Sequence, residues 1–149
     1  MLRFALYFLF LFSFALHAQE TDNHFSLSPL VANYPLTKEF LLKLETIAKE
    51  CKNLPPETAK IENNPTIHNE HIEKYIAYIS RKPGLVNILR ENNLTPKDFV
   101  VGHLALQATL NVLTSKETSF HEQNTVSSSN IEFAKKHMYR IIKILRNSC

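Results

Sequence analysis

The run that most constrains this chain is NNLTPKDFVVGHLALQATLNVL, residues 92 to 113. It opens with strong helix-start chemistry. Thr95 stands where an N-cap hydroxyl accepts a free backbone N–H, Pro96 takes the first helical position, and Asp98 follows three residues after the cap. Beyond it, Leu104, Ala105, Leu106, Ala108, Leu110, Val112 and Leu113 cover most of the helix circumference, with Thr109 the polar exception among them. The remaining sector holds His103, Gln107, Asn111 and Thr114. A helix this apolar must be covered on several sides, so it is predicted at the centre of a multi-helix body. Gly102 inside it costs about 1 kcal/mol against Ala. That cost predicts a neighbouring helix packed where a side chain would clash.

The rest of the chain supplies the covering helices. Glycine occurs only twice, tryptophan is absent, and alternating strand patterns are nearly missing. Thr37 caps a helix in which Phe40, Leu41, Leu44, Ile47, Ala48 and Cys51 make one apolar face, ended by Pro55 and Pro56. A polar loop leads to a second helix from about Asn69, with Ile72, Tyr75, Ile76 and Ile79 on one side. Pro83 and Gly84 break it, and a short helix follows with Leu85, Ile88 and Leu89 inward. Asn92 or Asn93 closes that helix in the left-handed conformation. After a second polar loop, Ser129 and Glu132 have capping-box spacing for a last helix that buries Ala134, Met138, Ile141, Ile142 and Leu145. The fold class expected is all-α: a bundle of about five helices forming a single domain over 36–149. Residues 19–35 are expected to be an extended lead-in arm with an apolar patch at Leu30 and Val31.

Residues 1–18 read as a secretory signal peptide. Arg3 precedes an aromatic and aliphatic run, and small Ala18 precedes polar Gln19, so cleavage is expected after Ala18. The run is shorter than the ~20 residues of a spanning helix, which disfavours an uncleaved anchor. The first cysteine is Cys51, too far along for a lipid-bearing cysteine at the cleavage site. The expected location is therefore the periplasm or outside the cell, with no membrane span in the mature chain. The formal charge is +3, of which Arg3 leaves with the leader. So small an excess, on an exported chain, gives no reason to expect nucleic acid as a partner.

Two segments, NNLTPKDFVVGHLALQATL and SSNIEFAKKHMYRI, resemble a group of small exported bacterial proteins. In that group a helix opening on Leu-Thr/Ser-x-x-Asp/Glu-aromatic-Val precedes an Asn-x-x-Phe helix start. The resemblance spans about residues 75 to 142 and the segment YPLTKEFLLKLE. It implies an exported, helical, single-domain protein and no particular chemistry.

Candidate sites are few. His103, Gln107 and Asn111 form either a solvent-facing strip or a polar seam lining a cleft, in which the His103 imidazole would bind a ligand or carry a proton. His68 and His71, with Glu70 between them, share a helical face and are candidate metal ligands, or plain solvated residues at a helix start. Tyr78 and Tyr139 fall off the main apolar faces and are candidates for a partner surface. Glu45 and Lys49 have the spacing of an ordinary surface pair. No nucleophile elbow, paired catalytic carboxylates or phosphate loop is present, and no cofactor is implied. Cys51 faces inward and Cys149 ends the chain. They form one intramolecular disulfide if their helices lie side by side; otherwise Cys51 is a buried thiol and Cys149 is free or links two molecules. The leading functional expectation is a non-enzymatic module that binds an envelope or exported protein. The second is a ligand or metal carrier using His103 and the His68/His71 pair, and a hydrolase comes last.

Overall fold

The side chain of Thr37 accepts from Phe40 N at 3.1 Å and so starts the helix that carries the Phe40, Leu41, Leu44 and Ile47 face. All four of those residues are buried. The computed structural model describes residues 27–54, 69–115, 126–147 and 149. Among these the protein is all-α, with helices α1 (Pro29–Ala32), α2 (Lys38–Cys51), α3 (Asn69–Ser80), α4 (Pro83–Glu91), α5 (Pro96–Thr114) and α6 (Ser128–Arg146). Residues 1–18, expected to be a signal peptide cleaved after Ala18, together with His68 and most of both long loops, lie outside the described residues. No helix among the described residues is long and apolar enough to cross a membrane.

Of the lead-in expected to be extended over 19–35, residues 19–26 lie outside the described residues, and residues 29–32 make one helical turn. Pro29 at the start favours it by supplying helical φ. The turn buries Val31 completely and leaves Leu30 39% exposed, so the apolar patch splits between core and solvent.

α5 lies at the centre, packed against α1, α3, α4 and α6. Its start is a full capping box. Thr95 Oγ1 accepts from Asp98 N at 3.0 Å, and Asp98 Oδ2 accepts from Thr95 N at 3.1 Å. Phe99, Val100, Val101, Leu104, Ala105, Leu106 and Ala108 are buried, and so is Thr109. Thr109 escapes the cost of an unpaired buried hydroxyl by donating to Ala105 O at 2.7 Å, one turn back. At Gly102 the cover is a side chain rather than a closely approaching helix backbone. Three ring carbons of Phe40, reaching across from α2, lie under 3.0 Å from where a Cβ would stand.

α4 ends as a left-handed cap at Asn93, φ 54°. Leu94 N donates to Leu89 O at 2.9 Å, and the Asn92 amide donates to Ile88 O and to Glu50 Oε2, which joins the α4 end to α2.

α6 begins two residues before the expected cap. Ser127, not Ser129, accepts from Asn130 N at 3.3 Å. The earlier start follows from Asn130, which is itself buried. Its Oδ1 accepts from Leu36 N at 3.0 Å, and its Nδ2 donates to Tyr34 O at 2.8 Å. A polar residue thus sits on the buried stripe of α6, which runs Asn130, Ala134, Ile141, Ile144. Met138, Ile142 and Leu145, expected inside, are only half-buried because they flank that stripe.

Candidate functional site

α2 and α6 lie side by side and run parallel. Asn130 holds Leu36 at one end, Arg140 meets Glu45 in the middle, and Cys149 meets Cys51 at the other end. The cysteine Cα atoms are 5.6 Å apart and the sulfurs stand at disulfide distance, so the side-by-side condition for the intramolecular pair is met. Cys51 is half-buried and Cys149 is exposed.

The middle tie replaces the surface pair expected between Glu45 and Lys49. Arg140 Nε donates to Glu45 Oε1 at 2.7 Å and Arg140 Nη2 donates to Oε2 at 2.9 Å. These bonds hold the Glu45 carboxyl below its ordinary pKa and raise that of Arg140. Sequence spacing favoured a partner one turn away, yet the planar guanidinium of a facing helix offers two parallel bonds where Lys offers a point charge. On α2 the i,i+4 pair is Glu39 with Lys43, at 2.9 Å.

Between the first two ties, α6 breaks at His137, whose φ of −118° and ψ of 17° are not helical. The His137 ring lies 4.5 Å from that of Phe133. Its pKa is lowered, first by desolvation and then by the positive charges of Arg140, Lys136 and Lys38, with Glu45 opposing them. Two residues past the break, Tyr139 is 78% exposed.

The two tyrosines nominated as a partner surface therefore part company. Tyr78 is half-buried on α3, stacked on Tyr75 at 6.4 Å, with Lys82 Nζ 4.6 Å from its ring centre and its Oη buried without a hydrogen-bond partner. It packs, partly buried, against the core. Tyr139 alone of the pair presents its ring.

The polar row of α5 is graded rather than uniform. His103 and Gln107 are half-buried and Asn111 is exposed. His103 rests 5.9 Å from the Phe99 ring, and its Nδ1 is shielded with no hydrogen-bond partner. Burial pushes its pKa down to about 4, so the imidazole is neutral at ordinary pH. The row brings no second titratable group to His103. His71 is exposed at the start of α3, and its companion His68 lies outside the described residues. Among the described residues no three His, Cys, Asp or Glu side chains gather as a metal site. An open depression of about 380 Å³ lies between α1 and α3, lined by Ser28, Pro29, Leu30, Ile72 and Glu73.

Searches against family profiles, curated proteins and solved structures return no match for the chain.

Proposed function

We propose that this protein is an exported, disulfide-tied helical module that binds a partner protein in the cell envelope. The observation that carries the reading is the Cys51–Cys149 placement at the far end of the α2–α6 seam. A covalent tie of this kind persists where thiols are oxidised, outside a reducing cytoplasm. The leader-like segment 1–18 points the same way. The contact surface we assign is the solvent face of α6 around Tyr139, whose ring is the most exposed large hydrophobic of the described residues. Tyrosine supplies broad apolar area with a polar tip and few rotatable bonds, the combination that interfaces favour. The three ties hold the helix that presents it, which limits the ordering cost of binding.

A photoreactive residue placed at position 139 in the exporting cell tests this, with one at exposed Ala77 on α3 as the reference. The reading expects an adduct of defined mass from 139 that is absent from 77. Bare monomer from both positions, across growth phases, would overturn it.

A further inference from the structure

The three ties between α2 and α6 fall unevenly about the break at His137. Asn130 lies before it, while Arg140 and Cys149 lie after it. Of the ties after the break, the Glu45–Arg140 pair is weak because its side chains are 31% and 29% exposed and water screens them. Ile141 and Ile144 add buried contacts to this part, but the helix ends two residues after Ile144. Of the two ties after the break, the covalent link is the stronger, and it is the one that a reductant can open. It is also reachable, since Cys149 is exposed while Cys51 is half-buried.

The geometry points to a redox lock: opening the Cys51–Cys149 bond loosens α6 from residue 138 onward, with Tyr139 on the loosened part, and leaves residues 128–136 in place. The reductant is a dithiol, either a small molecule or an envelope oxidoreductase. Its thiolate attacks Sγ of Cys149, the Sγ–Sγ bond breaks, and Cys51 leaves as a thiolate that takes up a proton. The second thiol of the reductant then attacks the mixed disulfide and frees Cys149. The dithiol ends as a disulfide and the two cysteines as thiols, a two-electron exchange. The loosening follows from the seam alone; its effect on partner contact rests on the binding role assigned to Tyr139.

Hydrogen exchange of the full chain, read by peptide mass with and without dithiothreitol, tests the lock. Local opening expects exchange at 138–147 to rise at least tenfold on reduction, with less than a twofold change at 128–136. An unchanged profile would overturn the proposal. So would an equal rise in both parts, because a bond that acts only by restricting the unfolded chain speeds every globally protected amide alike. Cys51→Ser with Cys149→Ser, without reductant, must give the same split profile. Should that variant fail to fold, Cys149→Ser alone or the wild-type chain in graded thiol buffers gives the same reading. Absence of any 139 adduct from the oxidised chain, with the split profile intact, would count against the binding role and leave the lock standing.

Discussion

Gly102 and Phe40 decide how the centre of the molecule packs. Alanine is the better helix former by about 1 kcal/mol, but its Cβ would enter the space of a Phe40 ring that is itself only 6% exposed. Overpacking of that kind costs about 1–3 kcal/mol. Gly102→Ala is therefore expected to lower unfolding free energy by up to about 2 kcal/mol net. In a Phe40→Ala background the clash is gone, and the same substitution should stabilise. Urea unfolding of the four proteins checks the change of sign; a stabilised Gly102→Ala single variant would show that the ring is not fixed over the glycine. His103 gives a second test at this scale. Its folded pKa of about 4 lies below the ordinary value, so the unfolded chain takes up the proton first as pH falls. The stability it contributes is complete above the unfolded pKa, near 6.5, and is lost as pH drops through the folded value. His103→Gln, which cannot titrate, is expected to flatten the fall in stability between about pH 6.5 and 4. Parallel slopes for the two proteins over that window would mean that His103 takes up its proton freely in the fold.

At the scale of elements, the molecule depends on one side chain that joins a helix to the chain segment before another. Asn130 satisfies Leu36 N and Tyr34 O at once. Asn130→Ala leaves both without that partner, and a buried group so stranded costs about 1–3 kcal/mol. The expected result is a loss of that size, with faster amide exchange at Leu36 but not within α2; full protection at Leu36 in the variant would show that another acceptor takes over. The sequence made the helices legible because their signals are local. The Thr37 and Thr95 caps, Pro96 and the α2 apolar stripe are all read within a few turns. Asn130, the Arg140–Glu45 pair and the turn at 29–32 were not legible, because each is fixed by a partner in another element. Asn130 read as a polar residue at a helix start, and nothing within reach along the chain announced that its amide faces the backbone of residues 34 and 36. The surroundings of Tyr78 were illegible for a related reason: spacing gave its angle on α3 but not its contacts with the Tyr75 ring and Lys82 Nζ.

Across the whole molecule, the parallel α2–α6 pair is tied by means of unequal strength. Two side chains each about a third exposed form the Glu45–Arg140 pair, a class worth at most about 1 kcal/mol. A link between residues 98 apart removes far more disorder from the unfolded chain, about 4.7 kcal/mol in the entropy account. The central placement of α5 and the meeting of the two cysteines were both foreseeable, the first from a helix apolar on most sides and the second from two cysteines on a chain read as exported. The α6 surface was only partly so, since exposure of Tyr139 depends on how the helix turns about His137. The most direct test of the central claim, an exported chain closed on itself through its two cysteines, is intact mass after alkylation of the denatured protein taken from the exporting cell. The account predicts a chain beginning at Gln19 that takes no alkyl group until it is reduced and two afterwards. A chain still carrying residues 1–18, with both cysteines alkylated before reduction, would contradict it.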